Sequence, residues 1–417
     1  MRNTLPQMIY VQETLVSLAG QVRIGIESSN ASITGDDKFH ANTGNTLEMP
    51  PLDSYGAHSR WFDVFSAGVE SCEWEAAPAE PWVILSQYNG TVGPETNDTR
   101  VYISVDWENA PEAPNSTVVA IDVTTPCRKY ERYAYDEPQI LLPVNVRTLP
   151  GNFTEGFVES DQTVSIEGPH YQSIAEPENG GDGDTNITYH TLKNYGRTLG
   201  GVGLHPMDLE KLPVNEAPAL QYEMYLFSNF TMANVTLFLS PSHNFLSDLD
   251  PLEYAIALYP ANDSTPADPE IVKFVGPSGT NMPAAWDNAV ADSVWGVTSN
   301  TTTTSFNVSA EGAYTLKIWC LLPSIIVQKI VIDLGGVRES YLGPPESFLV
   351  GRDEVGEYNM TSFLDTPGTV GAGMSEQGGS QAEGSAAVDE DDAASVMSRA
   401  GNWGFALVVA VGVALMM

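Results

Sequence analysis

The sequence predicts a mainly β protein that contains two antiparallel β-sandwich modules. After Pro50, short runs rich in Val, Ile, Tyr, Phe and Thr alternate with turns rich in Gly, Pro and Asn, as strands alternate with their connections. No helix-periodic segments separate these runs, which favours antiparallel sheets packed face to face. The β-rich part is roughly 300 residues long and a single sandwich takes about 100, so we divide it near residue 152.

A short helical segment is expected before the first sandwich, within residues 1–50. Apolar residues recur there with the spacing of one helix face, at Ile9, Leu15, Leu18 and Val22. This pattern predicts a helix between Leu5 and Gly25. Without a packing partner, such a helix exposes its apolar side.

The remaining elements follow from composition. Residues 51–152 are assigned to the first sandwich and residues 153–350 to the second. Residues 351–402 are rich in Gly, Ser, Ala, Glu and Asp, which predicts a disordered acidic linker. Residues 403–417 are uncharged and almost wholly apolar, and form a hydrophobic C-terminal tail.

Charge excludes one large class of partners. The chain has 18 Lys and Arg against 54 Asp and Glu, a formal net charge of -36. Nucleic-acid binding needs a clustered basic surface to neutralise phosphates. We therefore expect no nucleic-acid partner.

Glycosylation signals favour an extracellular or cell-surface location. Asn-x-Ser/Thr sequons are acceptors for N-glycans in secreted proteins. The N-terminal residues 1–7, however, contain no apolar core of a secretory signal peptide. The choice between a missing start and a protein that is not exported stays open. The sequon asparagines are Asn30, Asn89, Asn97, Asn115, Asn152, Asn186, Asn229, Asn234, Asn262, Asn300, Asn307 and Asn359.

The three cysteines allow one disulfide and one free thiol. The most plausible pair is Cys72 with Cys127, which leaves Cys320 as a buried thiol within an apolar run. Their spacing does not resemble a zinc site.

The C-terminal tail suggests attachment to a membrane. A spanning helix needs about 20 apolar residues, and this tail is shorter. Small residues, a spacer and a terminal hydrophobic stretch are the arrangement of a glycolipid-anchor signal. A short tail anchor and a faulty gene end are the alternatives. The candidate attachment residues are Asp392, Ala393 and Ser395.

Motifs for catalysis are absent from the sequence. It contains no Gly-x-Ser-x-Gly elbow, no His-Glu-x-x-His helix and no phosphate-binding loop. The stretch from Asp182 begins like a calcium loop, but Ile187 and Lys193 stand where a glycine and a glutamate are needed. Glycosidases use two carboxylates that flank the sugar, and composition alone does not nominate a pair.

Six segments in order resemble the C-terminal part of glycoside hydrolase family 115, the xylan α-1,2-glucuronidases, of the fungal type. The segments are MRNTLP at 1–6, SRWFDVFS at 59–66, EPWV at 80–83, RVYISVDW at 100–107, YGRTLGGV at 195–202 and SYLGPPES at 340–347. The resemblance implies removal of (4-O-methyl)-glucuronic acid from xylan with inversion.

The resemblance also implies what this sequence lacks. Family members carry their catalytic carboxylates on a (β/α)8 barrel, followed by a helical bundle and C-terminal β modules. Nothing in this sequence matches the barrel, so no catalytic residue is carried over. By the same resemblance, residues 1–50 correspond to the end of the helical bundle. Hydrolysis by this chain alone is not expected.

The edges of the second module are similar to those of jelly-roll carbohydrate-binding modules. In such modules an early glutamate and a late aspartate often hold a structural calcium ion, which favours oxygen ligands. The similarity makes Glu167 and Asp333 candidate calcium ligands; hydrogen bonding at strand ends is the alternative.

Aromatic residues are the other candidates in the second module. Sugar binding needs exposed aromatic rings that stack on pyranose faces. The residues in loop-like stretches are Trp286, Trp295 and Tyr189, while Trp61, Trp74, Trp82, Trp107 and Trp319 alternate within strand patterns and are assigned to cores.

Two functions remain open from the sequence. The first is a non-catalytic accessory part of a xylan α-glucuronidase, with glucuronoxylan or an adjacent catalytic barrel as partner. The second is a free-standing, glycosylated cell-surface β protein that binds wall polysaccharide. In either case a homodimer and membrane attachment through the C-terminus are open possibilities.

Overall fold

The computed structural model describes residues 22–29, 31–33, 46–66, 68–96, 98–112, 116–127, 138–178, 187–229, 231–244, 251–263, 268–276, 282–283, 285–296, 301–338 and 340–352. These residues form two β-sandwiches, so the predicted fold class is confirmed. All of them lie in one compact unit that ends at Ala372.

The first sandwich pairs a five-stranded sheet, in the order β2-β1-β5-β9-β7, with a six-stranded sheet, in the order β3-β11-β10-β6-β8 with β4 also on β11. All pairings are antiparallel except those of β3 and β4 with β11. The strands are β1 Val22–Ile26, β2 Ser32–Ile33, β3 Thr46–Glu48, β4 Leu52–Asp53, β5 Arg60–Ser66, β6 Cys72–Pro78, β7 Val83–Leu85, β8 Asn89–Val92, β9 Asp98–Val105, β10 Thr117–Thr124 and β11 Gln139–Asn145.

The start of this sandwich corrects the sequence-based division. Strand β1 pairs with β5 along its whole length, and β3 pairs with β11, so both lie within the region assigned to a helical segment. Val22, Ile24 and Ile26 are buried while Arg23 and Gly25 are only partly buried. That alternation has the period of a strand, and Val22 fitted a helical spacing by coincidence. The predicted helix is therefore wrong at residues 22–25, and its residues 5–21 lie outside the described part of the chain.

The second sandwich is larger. Its seven-stranded sheet has the order β20-β19-β22-β17-β12-β24 with β14 also on β17, and its six-stranded sheet has the order β15-β16-β23-β18-β21 with β13 also on β23. The strands are β12 Gly156–Val158, β13 Thr163–Glu167, β14 Ser173–Ala175, β15 Thr188–Lys193, β16 Gly200–His205, β17 Ala219–Leu226, β18 Thr231–Leu239, β19 Leu252–Pro260, β20 Glu270–Val275, β21 Thr303–Val308, β22 Gly312–Cys320, β23 Ile326–Asp333 and β24 Leu349–Val350.

Little helix accompanies the strands in the described residues. Helix α1 spans Trp286–Asp292 and ends at Ser293, which has a left-handed backbone conformation with φ 59°. A 3-10 turn covers Val214–Glu216.

Each sandwich has its own hydrophobic core. In the first, apolar side chains from both sheets meet between the layers, among them Phe62, Ile103 and Leu142. In the second, three fully buried tyrosines lie in the core and each hydroxyl donates to a backbone carbonyl: Tyr189 to Pro218 at 3.0 Å, Tyr222 to Gly168 at 2.7 Å and Tyr254 to Thr302 at 3.1 Å. These bonds satisfy polar groups whose burial is otherwise costly.

The cysteines take the predicted arrangement. Cys72 on β6 forms a disulfide with Cys127, with the two Cα atoms 5.8 Å apart, and Cys320 is a buried free thiol. Burial raises the pKa of the Cys320 thiol to about 12, so it stays protonated and unreactive at neutral pH.

An aromatic cluster joins the two sandwiches. Tyr55, from the loop after β4, packs edge-on against Phe348 of the second module at a centroid distance of 5.4 Å. It also stacks with Phe227 at 6.0 Å, and its hydroxyl accepts a hydrogen bond from the backbone N–H of Leu149 at 3.1 Å. The joint is therefore a packed contact within one compact unit.

Candidate functional site

The structure buries two of the three aromatic residues expected to stack on sugar. Tyr189 is fully buried, and its hydroxyl also accepts a hydrogen bond from the N–H of Cys320 at 3.1 Å. Trp295 is 3% exposed and forms an isolated antiparallel bridge with Leu239. The expectation that these two rings face solvent is wrong, because the segments that carry them pair with strands and turn both rings into the core.

Trp286 is only partly buried, at the start of α1. Its ring packs edge-on against His243 at 5.8 Å and lies 6.4 Å from Trp295. The side chain also contacts the core of the second sandwich. Trp286 thus lies close to Trp295, but the two rings do not form an exposed platform because Trp295 is buried.

The two candidate calcium ligands lie at opposite ends of one strand pair. Glu167 is opposite Lys329 and Asp333 is opposite Thr163, a separation of about 13 Å along the strands at 3.3 Å per residue. Ligands of one calcium ion lie at 2.3–2.6 Å from it, so a single ion cannot bridge these residues. Within the described residues no group of three or more His, Cys, Asp or Glu is arranged to hold a metal ion.

Glu167 instead belongs to a buried ionic cluster. Its carboxylate lies 3.2 Å from Nζ of Lys329 and accepts a hydrogen bond from Thr198 at 2.6 Å. Glu346 accepts from the backbone N–H of Glu167 at 2.9 Å and pairs with Arg352 at 2.9 Å. The cluster fastens the segment before β24 onto the outside of β13, and its buried charges are compensated by partners.

Asp333 caps a turn. Its Oδ1 accepts hydrogen bonds from the backbone N–H groups of Gly335 at 2.8 Å and Val337 at 3.3 Å. This is the structural alternative that the sequence left open for a carboxylate at a strand end.

A second pair of buried carboxylates lies at the joint between the modules. Asp53 and Glu159 flank Arg147, whose Nη1 lies 3.5 Å from Asp53 Oδ2 and 3.8 Å from Glu159 Oε1. Glu159 also accepts hydrogen bonds from the N–H and hydroxyl of Ser228 at 2.8 and 2.5 Å. Both carboxylates are at most 1% exposed, whereas a glycosidase places its two carboxyl groups on either side of a bound sugar. Their geometry supports a role in holding the joint.

The surroundings of Asp53 change the pKa of its carboxyl group. Burial raises the pKa of the Asp53 carboxyl to about 6, because a charged group is disfavoured away from water. The charge of Arg147 and the backbone N–H of Tyr55 act in the opposite direction, and Glu159 raises the pKa further.

A polar cleft of about 960 Å³ opens beside the joint. Its walls include Arg147, Phe227 and the Arg338–Asp161 ion pair at 2.9 Å. The guanidinium of Arg147 lies 4.8 Å from the Phe227 ring centre. Arg147, Arg338 and Asp161 in the walls of the cleft therefore already contact other protein groups.

An open surface that carries aromatic residues lies on the first sandwich. We call it the aromatic face and define it by Trp61, Asp63, Ile84, Arg100 and Tyr102, all on the outer side of the five-stranded sheet. Tyr102 is 52% exposed and Ile84 is 43% exposed, while Trp61 is partly exposed. Because large exposed apolar patches on a monomer surface mark interaction sites, this face is a candidate for one.

The strand register brings these residues together. Trp61 on β5 lies directly opposite Tyr102 on β9, and Ile84 on β7 lies opposite Ser104, two residues beyond Tyr102. Asp63 lies opposite Arg100 and binds it through two hydrogen bonds of 2.8 and 2.9 Å. The Arg100 guanidinium also lies 3.7 Å from the Trp61 ring centre, so cation–π stacking holds it flat against the sheet.

Sequence reasoning missed this surface because it assigned Trp61 to the core. The outward position of Trp61 could have been predicted from the alternation of apolar residues along β5 and β9. In β5 the buried residues are Phe62 and Val64, and in β9 they are Val101 and Ile103; Trp61 and Tyr102 have the opposite phase. Since successive side chains point to opposite faces of a sheet, the neighbouring β-branched residues indicated which phase faces inward.

The sequon asparagines that the structure describes are exposed. They are Asn89, Asn152, Asn229, Asn234, Asn262 and Asn307. The others, Asn30, Asn97, Asn115, Asn186, Asn300 and Asn359, lie outside the described residues, as do the predicted linker from residue 353, the apolar tail and the anchor candidates Asp392, Ala393 and Ser395. In the described part of the chain, no helix combines the length and the apolar character needed to cross a membrane.

Solved structures give only remote likenesses. One is a family 115 4-O-methyl-α-glucuronidase with specificity for decorated arabinogalactans, at 13% identity over 45% of this chain and 19% of that chain, with a TM-score of 0.28. Another is the GH26-CBM35 β-(1,4)-mannanase of Podospora anserina, at 11% identity over 43% of this chain and 29% of that chain, with a TM-score of 0.24. A two-domain protein of unknown function from Bacteroides fragilis is 9% identical over 76% of this chain and 95% of that chain, with a TM-score of 0.24. Scores this low carry no argument about function.

The chain spans less than a third of the first two of these proteins, and no curated protein matches it. A family model gives the firmer result. The model of the glycosyl hydrolase family 115 C-terminal domain matches residues 156–346, the segment that forms most of the second sandwich. The resemblance found in the sequence is thereby confirmed over this segment.

Proposed function

We propose that this chain is a non-catalytic accessory region of a glycoside hydrolase related to the xylan α-1,2-glucuronidases, and that it contacts polysaccharide or an adjacent catalytic barrel. The observation that carries the proposal is the match of residues 156–346 to the C-terminal domain of family 115. Because a fold does not by itself fix a function, the proposal also draws on the surroundings of the charged residues.

The charged groups of the second module support a non-catalytic role. Glu167 and Glu346 bind Lys329 and Arg352 inside the protein, and Glu159 is fully buried beneath Ser228. Carboxylates fixed in this way cannot protonate a glycosidic oxygen or activate water on a bound sugar.

The covalent features support an extracellular location. A disulfide between Cys72 and Cys127 is stable in oxidising compartments, and the six described sequon asparagines have exposed side chains. We therefore propose a secreted or cell-surface glycoprotein, with a glycolipid anchor near Asp392, Ala393 and Ser395 as the means of attachment.

The proposal is tested by assaying the purified 417-residue chain on glucuronoxylan, with release of (4-O-methyl)-glucuronic acid as the readout. We expect no release above a buffer blank, while an active family 115 enzyme at the same concentration gives a strong signal. A second arm adds the chain to a separately produced family 115 catalytic barrel, and we expect binding of the barrel or faster release. Release of the acid by the chain alone contradicts the non-catalytic role.

The second candidate function is a free-standing surface protein that binds wall polysaccharide. The disulfide and the exposed sequons favour it equally. The barrel arm separates the two functions, because a free-standing binder retains its affinity for polysaccharide and ignores the barrel.

A further inference from the structure

We propose that the aromatic face of the first sandwich is a binding site for a neutral β-1,4-linked pyranose chain, such as an unsubstituted stretch of xylan. This inference rests on the proposed function and assigns its polysaccharide contact to a site. It places that contact outside residues 156–346, the segment that matches the family model.

The shape of the face suits an extended sugar chain. Trp61, Tyr102 and Ile84 lie on three adjacent strands, β5, β9 and β7. Neighbouring strands are about 4.8 Å apart, so these side chains span roughly 10 Å across an open sheet surface. Tyr88 follows the edge strand β7: it is exposed, and its hydroxyl accepts a hydrogen bond from the N–H of Leu85 at 3.3 Å. Arg100 covers one face of the Trp61 ring, so the apolar surface open to the C–H faces of pyranose units comes mainly from the Tyr102 ring and from Ile84.

The charge of the face favours a neutral ligand. On the outer sides of β1, β5 and β9 the charged side chains are Arg23, Asp63, Asp98 and Arg100, two of each sign. Arg100 and Asp63 neutralise each other through their paired hydrogen bonds, and the chain as a whole carries a charge of -36. The negative charge of the protein repels a polyuronate, which is also negatively charged, but it does not repel an uncharged sugar chain.

Polar groups on the same face are placed to orient hydroxyl groups. The Arg100–Asp63 pair lies beside the Trp61–Tyr102 row and is open to water. Ser104 lies two residues beyond Tyr102 on β9 and directly opposite Ile84. The face thus combines apolar surface with a few polar groups, and in small-molecule sites such polar groups fix the orientation of the ligand.

The positions of the sequons leave this face clear within the described residues. Asn89 lies on β8 of the opposite sheet, and Asn152 follows β11 at the end of the first sandwich. Asn229, Asn234, Asn262 and Asn307 all lie in the second sandwich. N-glycans at these six positions therefore do not start from the aromatic face.

The test measures binding of xylohexaose to the full chain by isothermal titration calorimetry, for the native protein and for Tyr102→Ala. We expect affinity to fall at least tenfold in Tyr102→Ala and to stay within twofold in Tyr102→Phe, which keeps the ring. The matched control is Tyr341→Ala, because Tyr341 is an exposed aromatic residue of the second module, and we expect no change there. Polygalacturonate serves as the anionic probe and should not bind.

Absence of xylohexaose binding by the native chain, or equal binding by Tyr102→Ala, overturns the proposal. If circular dichroism shows that Tyr102→Ala is unfolded, Ile84→Ser on the neighbouring strand takes its place with the same expectation. A dimer in sedimentation that Tyr102→Ala dissociates, without sugar binding, also overturns it and assigns the face to a second copy. Glucuronic acid release by the chain alone defeats the non-catalytic function but leaves these binding results intact, so the two failures are distinguishable.

Discussion

Two groups of aromatic residues, one in each sandwich, take opposite positions. The second places Tyr189, Tyr222 and Tyr254 in its core with every hydroxyl bonded to a backbone carbonyl. The first turns Trp61 and Tyr102 outward, one covered by Arg100 and the other open to water. The difference teaches that the aromatic content of a β module says little about its surface, since strand phase decides whether a ring stabilises the fold or meets a partner.

The largest loss of stability is expected when a buried tyrosine of the second sandwich is removed. Replacing Tyr222 by Ala removes a fully buried ring and leaves both a cavity and an unsatisfied Gly168 carbonyl. Phe or Trp to Ala changes in cores cost about 3–5 kcal/mol, and we expect a loss of this size in the free energy of unfolding measured by urea titration.

The matched substitution is Tyr102→Ala on the aromatic face, where solvent already covers half of the side chain. Surface changes outside special features stay within about 0.5 kcal/mol. Equal losses in the two variants would mean that the aromatic face is structural and not a binding surface.

The next largest loss of stability is expected when the disulfide of the first sandwich is removed. The Cys72–Cys127 disulfide closes a loop of 55 residues in the first sandwich, and the chain-entropy relation predicts about 4 kcal/mol for a loop of this length. We expect Cys72→Ser to lower the unfolding temperature of the first sandwich in calorimetry. Cys320→Ser is the control in the second sandwich, where no disulfide is lost. An unchanged first transition would show that the disulfide adds nothing to stability.

The sequence predicted some of these features and not others, for physical reasons. Alternation and turn residues predicted the β-sandwich class, and the disulfide between Cys72 and Cys127 and the buried thiol of Cys320 are as expected. The sequence did not predict that Val22–Ile26 is a strand, because five residues fit helical and strand periods equally well. It did not reveal the Asp53–Arg147–Glu159 contact either, since these residues meet only through the packing of two modules.

That joint gives a smaller, pH-dependent effect. The pKa of Asp53 is about 6 in the folded protein against an ordinary 3.8, so the folded state binds more protons between these values. Stability from this group is therefore fully present below pH 3.8 and is lost as the pH rises through 6. The shift in the pKa of Asp53 from 3.8 to about 6 corresponds to about 3 kcal/mol in the free energy of unfolding, at 1.36 kcal/mol per pKa unit.

The measurement compares unfolding of the native chain and Asp53→Asn from pH 4 to pH 7. We expect the stability difference between the two proteins to change across the window, with the native chain losing its relative advantage as the pH rises. Asp63→Asn, on the aromatic face, is the control for replacing a carboxylate outside the joint. A constant difference between the native chain and Asp53→Asn would contradict the assignment.

The smallest effect sharpens the comparison at the level of one hydroxyl group. Tyr222→Phe keeps the buried ring and removes the 2.7 Å bond to the Gly168 carbonyl, which leaves that acceptor without its partner. A typical hydrogen bond contributes about 1 kcal/mol, and an unsatisfied buried acceptor costs about 1–3 kcal/mol, so we expect a loss near the lower end of that range. Tyr102→Phe removes a hydroxyl from a half-exposed ring and should leave the free energy of unfolding unchanged. If both variants lose the same stability, the tyrosine hydroxyl groups of the two modules are equivalent, and only their rings distinguish the core from the aromatic face.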